Sequence, residues 1–502
     1  MDMQQVLIAG AGPTGLVLAL WLTRLGVPVR IIDRSSGPGL TSRALAVQAR
    51  TLELYRQLDL AEAVVAAGHV NPAFNLWARG KKRAHVSFGE AGADLTPYPF
   101  VLIYPQDRHE VLLIERLRQM GVEVERQTEL ISFEDKVDHV VARLRLPDGS
   151  EESVEARYLS GCDGAKSPIR HQLGNQFEGG TYKRIFYVAD VEIDGLDPDG
   201  ELHIALDLSD FVAVLSYGKG GNRLIGTIED ETDDGLTFED VGHRAIDGLG
   251  ISIRKVNWFS TYRVHHRVTD RFRVGNVFLV GDAAHVHSPA GGQGMNTGIS
   301  DAINLAWKLA AALSGKAGDA LLDSYDVERQ AFARTLVDTT DKVFSFATAD
   351  GGFADFVRTR IAPAFVSVAY HVEGVRDFMF RILSQTLVQY RDSPLSEGKA
   401  GAVDGGDRLP WVKTATSDNY APLSHMGWQV HVYGAATAEV SAWCAREGVP
   451  LHVFAWTPEH RHAGLEQDAL YLLRPDTWVA LSEKEQSADV LERYFAARLM
   501  RP

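Results

Sequence analysis

The chain has 502 residues, 45% of them hydrophobic and 23% charged; it is long enough for two or three domains, and neither a single small module nor a disordered chain has this composition. Its 51 basic and 66 acidic residues leave a formal charge of −15, which repels a phosphate backbone and argues against nucleic acid as a partner. The most apolar helix pattern, Ile299 to Leu313, contains Asp301, Asn304 and Lys308, so no membrane partner is expected.

Along the chain, Gln5 to Ala9 is a short apolar run, followed by the turn Gly10-Ala11-Gly12-Pro13-Thr14-Gly15 and the helical pattern Leu16 to Leu25. Val27 to Ile32 is a second apolar run that closes at Asp33, completing a β-α-β unit of the expected length. The first strand begins near Gln5, so no secretory leader is expected and the cytoplasm is the predicted location. Tyr98 to Tyr104 leads through Pro105-Gln106-Asp107-Arg108 into a helix through Glu110, Leu113 and Leu117, and β-rich segments follow to Ser160. Phe186 to Tyr262 alternates apolar and polar positions between Gly, Asp and Asn turns, which predicts an antiparallel sheet, taken as a substrate domain. Val277 to Val280 is a strand ending in Gly281-Asp282; a glycine-rich turn and the Ile299 helix follow, and helical patterns run to about Gln389. Asp392 to Asp407 reads as a polar linker. Beyond it, the pattern predicts a strand at Gln429 to Tyr433, a helix at Thr437 to Glu447 and a strand at Leu451 to Trp456. A hairpin at Ala469 to Leu473 and Trp478 to Leu481 and a helix at Ala488 to Leu499 complete a small α/β layer domain.

The glycine turn has a physical rationale: Gly10 allows the tight turn, Gly12 admits a pyrophosphate to the backbone, and Gly15 lets helix and strand pack closely. Amides at the helix start then face the anion. Asp33 can accept from ribose hydroxyls and disfavours a 2′-phosphate there. This motif alone fits FAD and NAD equally. His285 and His287 form an H-x-H pair, but nothing nearby completes a metal site, so no metal is expected. Cys162 and Cys444, the only cysteines, form no C-x-x-C and are read as buried thiols.

Three further segments follow in order: Asp163-Gly164-Ala165-Lys166-Ser167-Pro168-Ile169-Arg170, Gly281-Asp282-Ala283-Ala284-His285, and Pro289-Ala290-Gly291-Gly292-Gln293-Gly294-Met295-Asn296. With these segments the chain resembles, over almost its whole length, the class A flavoprotein monooxygenases, aromatic hydroxylases of the para-hydroxybenzoate and phenol hydroxylase type. The resemblance implies a bound FAD, with Gly10, Gly12, Pro13, Thr14, Gly15, Asp33 and Arg34 at its adenosine and pyrophosphate end. It implies that Asp163 and Gly164 lie between the flavin and nicotinamide sites, and that Gly281 and Asp282 hold the ribityl chain. Pro289, Gly292, Gly294, Met295 and Asn296 are implied to lie against the isoalloxazine ring, where a helix start suits the negative charge of reduced flavin. Arg43 and Gln106 are implied to stand near the cofactor.

The implied fold is α/β: a discontinuous FAD-binding Rossmann-like domain (1–72, 102–180 and 265–345) with an inserted antiparallel β-sheet substrate domain (73–101 and 181–264). A helical linker (346–397) and a C-terminal thioredoxin-like α/β domain (398–502) follow, the last resembling the domain appended to phenol and polyketide hydroxylases. Without a C-x-x-C it is expected to serve packing or subunit contact, and a homodimer is the expected assembly.

Only one G-x-G-x-x-G occurs, so NAD(P)H has no second dinucleotide domain and must visit a shared cleft. The resemblance implies that NAD(P)H reduces FAD, that O2 adds at C4a of the flavin, and that the hydroperoxide hydroxylates a small aromatic substrate. Tyr104, Tyr187, His203, Tyr217 and Tyr262 are candidates, by region only, for activating a phenol; no catalytic residue is assigned. Epoxidation or Baeyer-Villiger insertion by the same cofactor is the alternative chemistry. A non-enzymatic binding or escort protein of this fold is the alternative class, against which the intact Gly291 to Asn296 turn argues.

Overall fold

Strand β1 (Gln4–Ala9), helix α1 (Pro13–Arg24) and strand β2 (Val29–Asp33) form the opening β-α-β unit. In this computed structural model, which describes residues 4–39, 44–196, 200–207, 210–218, 220–228, 236–241, 244–288, 292–348 and 373–502, β1 lies between β2 and β3 (Glu151–Gly161), parallel to both. Val6, Leu7 and Ile8 are all buried, as a central parallel strand covered on both faces requires. The eight-stranded sheet continues through β9 (Val277–Leu279) on one side and Val124–Arg126 on the other, with Val140–Arg145 added antiparallel to β3 and Glu129–Asp135 antiparallel to Val140–Arg145. Helix α2 (Gln106–Gln119) packs beside α1.

The second sheet holds β4 (Phe177–Asp194), β5 (Leu202–Asp207), β6 (Asp210–Ser216), β7 (Asn222–Ile228) and β8 (Ser252–Thr269), ordered β8-β4-β7-β6-β5 and antiparallel throughout. It departs from the predicted pure antiparallel sheet at one seam: β5 runs parallel to Ala73–Ala78, because that hairpin strand enters from an earlier crossing of the chain rather than through a tight turn. Residues of one parity, including Tyr187, Ala189, Val212, Val214 and Leu224, pack outward under Ile246 and Leu249. Residues of the other parity, including Phe211, Ala213, Leu215, Tyr217 and Ile225, pack inward with Leu45, Ala46 and Ile103 of the first domain and with Phe380 of the helix Glu373–Leu383.

Helix α3 (Gly294–Leu313) begins five residues before its apolar pattern does. Helices α4 (Asp319–Thr348) and α5 (Glu373–Leu383) follow. Asp392 to Asp407, expected to be a linker, instead supplies β10 (Glu397–Ala400), which pairs parallel with β14 (Val479–Glu483) and buries Ala400 and Val403. Its glycines serve close packing: a Cβ on Gly398, at φ +76°, would lie 2.2 Å from the Ser482 carbonyl oxygen. The C-terminal sheet runs Val403–Asp404, β10, β14, β13 (Leu470–Leu473), β11 (Gln429–Tyr433), β12 (Leu451–Phe454), with helices α6 (Ala438–Glu447) and α7 (Ala488–Ala497). Among the described residues no helix is long and apolar enough to cross a membrane.

Candidate active site

The three glycines of the first turn have separate tasks. A Cβ on Gly10, at φ +109°, would lie 2.2 Å from the Cys162 carbonyl oxygen, and one on Gly15 would lie 2.0 Å from the Gly10 carbonyl oxygen. Both positions are closed by backbone. A Cβ on Gly12 would meet nothing within 4 Å; Gly12 is extended, at φ −75°, and caps α1 with Pro13 at its first position. The surface over Gly12 is therefore open where the helix amides emerge. The Asp33 carboxylate braces the turn, accepting from the Ala11 and Ser35 amides at 2.7 Å each. Arg34, next to it, is exposed. Cys162, expected to be buried, is half-buried, because β3 ends there against the glycine turn.

Thr14 joins this turn to the distant loop. Its hydroxyl oxygen lies 2.7 Å from the place a Cβ on Gly281 would take and 2.4 Å from that of Gly298. Helices α1 and α3 cross at this contact, which brings Gly281 and Asp282 to the start of α1. Asp301 of α3 holds the loop: one oxygen accepts from the Gly281 amide at 3.0 Å and pairs with His285 Nε2 at 2.7 Å, and the other accepts from Arg329 Nε at 2.5 Å. Burial pushes the Asp301 carboxyl up, but Arg329 and His285 outweigh it and hold it below its ordinary value. The Asp282 side chain is exposed, yet the protein around it pushes its carboxyl up, with His285 opposing the rise and Asp301 adding to it.

Asp163 and Gly164 lie beside the first turn, and Gly164 adopts φ +80°. One Asp163 oxygen accepts from the Ile169 amide at 3.2 Å; the other is buried without a protein partner, and burial raises the carboxyl. Ser167 caps the helix Pro168–Gln172 by accepting from the Arg170 amide at 2.9 Å. The buried Arg170 donates to the Ala283 and Ala165 carbonyls at 2.8 and 2.9 Å. This side chain bolts the second segment to the third.

At the start of α3, Gly292 is at φ +62° and a Cβ there would lie 2.8 Å from that of Ala46. The buried Asn296 amide is fully used by protein: it donates to the Ala46 and Gly292 carbonyls at 2.9 and 3.0 Å and accepts from the Gln48 amide and Thr51 hydroxyl at 2.9 and 2.7 Å. Its side chain shapes the turn, which explains why α3 begins before its apolar stripe; the amides of Gly294, Met295 and Asn296 occupy the first turn, whose N–H groups have no intrahelical partner. Gln106 donates from Nε2 to Glu110 at 2.8 Å, and its amide donates to the Ala44 carbonyl at 3.2 Å, next to the Ala46 strand. Arg43 and Pro289, with Ser42, Ala290 and Gly291, lie outside the described residues. His287 donates through Nδ1 to the Ser288 carbonyl at 2.9 Å, and burial lowers its pKa to about 4. Among the described residues no group of three or more His, Cys, Asp or Glu is placed to hold a metal.

Residues 3–340 match the family model for the FAD-binding domain. The chain belongs to the FAD-dependent aromatic monooxygenases. It is similar to 6-methylpretetramide 4-monooxygenase of Streptomyces rimosus, with 38% identity over 80% of this chain and 73% of that one. Pentachlorophenol 4-monooxygenase of Sphingobium chlorophenolicum is 32% identical, over 82% of this chain and 76% of that one. The fold is also that of the OxyS anhydrotetracycline hydroxylase of Streptomyces rimosus, with a TM-score of 0.79, 28% identity and 99% of both chains covered. This monooxygenase uses FAD, and its residues fit that group: an open glycine surface at a helix start, a buried Asp163 oxygen without a partner beside that turn, and a second helix start at Gly294 on the helix that Thr14 touches.

The sheet's parity sorts the five candidate activating residues. Tyr187 lies in the outer core, and His203 accepts from Trp77 Nε1 at 3.1 Å in the same outer layer. Tyr104 is buried in the first domain and donates to the Arg108 carbonyl at 3.1 Å. Tyr217 lies on the inward face, with the Arg108 guanidinium 5.9 Å from its ring centre, and Tyr262 pairs with Phe186 on that parity. The same face carries Arg223, which holds Asp190 through two hydrogen bonds of 2.7 and 2.8 Å. Asp301, Arg329 and Arg223 were not among the sequence-predicted site residues; the available signal was a charge inside an otherwise apolar helix or strand pattern.

Proposed function

We propose that this monooxygenase consumes NAD(P)H and hydroxylates a phenolic or polycyclic, polyketide-like aromatic. Bound FAD supplies the chemistry: reduced by NAD(P)H, it combines with O2 as the C4a-hydroperoxide, one oxygen atom enters the ring and the other leaves as water. Gly10 to Gly15, Asp33, Asp163-Gly164, Gly281-Asp282 and the Pro289 to Asn296 turn are the residues proposed to hold the cofactor. Tyr217, beside Arg108 and the Arg223–Asp190 pair, is proposed to orient the substrate hydroxyl from the inward sheet face and to favour its phenolate. The C-terminal unit is read as thioredoxin-like, without thiol chemistry.

The observation that carries this reading is the Thr14 contact, which joins the open glycine turn to the Gly281 loop and to α3, while Gly292, just before α3, packs on Ala46 in the core under the inward sheet face. The substrate classes are those named for the two curated relatives, a tetracyclic polyketide intermediate and a chlorinated phenol. The test is NAD(P)H oxidation by the purified yellow protein in the presence of phenols and polycyclic aromatics, with mass detection of a product one oxygen atom heavier. NAD(P)H oxidation that yields only hydrogen peroxide with every aromatic tried would defeat the assignment.

A further inference from the structure

The turn between β13 and β14 carries Arg474 and Asp476, both buried. Arg474 donates to the two Asp476 oxygens at 2.9 and 2.6 Å and to the two Glu328 oxygens at 2.6 and 3.0 Å. Glu328, on α4, also accepts from Lys308 and Asn304 of α3 at 2.8 and 2.7 Å and from Ser393 at 2.6 Å. A side chain of the C-terminal domain is thus tied to both helices behind the flavin turn. The next residue on α4 faces the other way: Arg329 donates to Asp301, to the Tyr390 hydroxyl and to the Thr297 carbonyl at 3.3 Å. Asp301 in turn holds the Gly281 amide and His285.

We propose that the C-terminal domain is a positioning element of the flavin site, with Arg474 as its positioning residue. By fixing Glu328 it sets the orientation of α4 against α3, and through Arg329 and Asp301 it sets the loop that carries Asp282. The inference rests on the FAD site proposed above. Its physical basis is geometric: one guanidinium fork donates to both oxygens of two carboxylates, and removing one partner of such a buried set leaves the others to rearrange. Burial lowers Lys308 to about 8, Glu328 draws it back up and Arg474 repels it, so without Arg474 the carboxylate of Glu328 keeps only Ser393 against Lys308 and Asn304 and is drawn towards α3.

The test uses the full chain loaded with FAD. R474M is expected to raise the FAD dissociation constant at least about tenfold, near 1.4 kcal/mol, and to flatten the visible circular dichroism of bound flavin, with R474K recovering part of both. L465A truncates a buried leucine in the separate core of the C-terminal sheet; it is expected to lower the melting temperature while leaving FAD affinity within about twofold of wild type. Equal weakening by L465A and R474M, or an R474M constant within twofold of wild type, overturns the proposal. Should R474M not fold, an R474K constant equal to wild type overturns it. D282A separates the two readings: if D282A binds FAD normally, the site assignment fails whatever R474M does.

Discussion

Alanine substitution at the three glycines of the first turn separates folding from cofactor binding. In G10A the new methyl group would sit 2.2 Å from the Cys162 carbonyl oxygen, at a backbone φ of +109°. The positive φ costs about 1–2 kcal/mol and the overpacking about 1–3 kcal/mol more. In G15A the methyl group would sit 2.0 Å from the Gly10 carbonyl oxygen; the helix propensity gained, about 1 kcal/mol, does not offset a clash with backbone that β1 holds in place. In G12A the backbone is already extended and the space is open, so apoprotein stability should stay within about 0.5 kcal/mol of wild type. The same methyl group stands where the pyrophosphate is proposed to touch the helix amides. Loss of even two charge-assisted hydrogen bonds, about 1.5–3 kcal/mol each, raises the FAD dissociation constant about a hundredfold or more. Apoprotein melting by differential scanning fluorimetry and FAD titration by fluorescence quenching measure the two effects independently. A folded G12A protein that binds FAD within about threefold of wild type would refute the placement of the pyrophosphate at Gly12.

N296A removes four hydrogen bonds from a buried amide and strands the Gln48 amide and the Ala46 carbonyl; at about 1–3 kcal/mol per unsatisfied group, the holoprotein should lose about 3 kcal/mol or more, and an unchanged melting temperature contradicts this. His109, buried against Tyr55 with its pKa lowered to about 3 by burial, is neutral when folded. The unfolded chain therefore binds the extra proton between about pH 6.5 and 3, so stability rises with pH across that window and is lost, by about 1.4 kcal/mol per unit, as the pH is lowered through it. H109F should show a shallower fall in melting temperature between pH 6.5 and 5, and parallel curves would remove His109 as the cause. Y217F should lower kcat/KM for a phenolic substrate about tenfold or more with unchanged melting temperature, whereas Y187F, altered on the outer face, should not change kcat/KM beyond what its stability loss explains.

Much of the first domain was legible because its signals are local. The Gly10 to Gly15 turn, the strands on either side and Asp33 obey rules of backbone conformation and burial that act over a few residues. The C-terminal strands and helices were legible for the same reason. The segment Asp392 to Asp407 was misread because glycine carries two opposite meanings: it permits a loose linker, and it permits backbone to touch backbone. Gly398 has the second meaning only because Ser482, far away in sequence, lies against it. The choice among Tyr187, His203 and Tyr217 was closed to sequence reading for a related reason. A one-residue shift exchanges the faces of a strand, and β4 and β8 shift register at three places in their pairing.

The buried charges present the sharper case. Asp301 and Lys308 look unfavourable in their apolar helix, and Glu328, Arg329 and Arg474 are buried just as deeply, where an ion costs several kcal/mol without a partner. Their sense is collective. Asp301 is held ionised by Arg329 and His285, Glu328 by Arg474 and Lys308, and α4 carries Glu328 and Arg329 side by side to opposite partners. Neither pair could be inferred from spacing, because the partners lie up to 146 residues apart. What sequence does show is the anomaly itself: an acid at Asp301 and a lysine at Lys308 inside an apolar helix, in a protein with no membrane-spanning helix among its described residues. An unpaired charge is intolerable there, so each such residue predicts a distant partner of opposite sign, and here the helix that needs those partners is the one whose first turn is proposed to face the flavin.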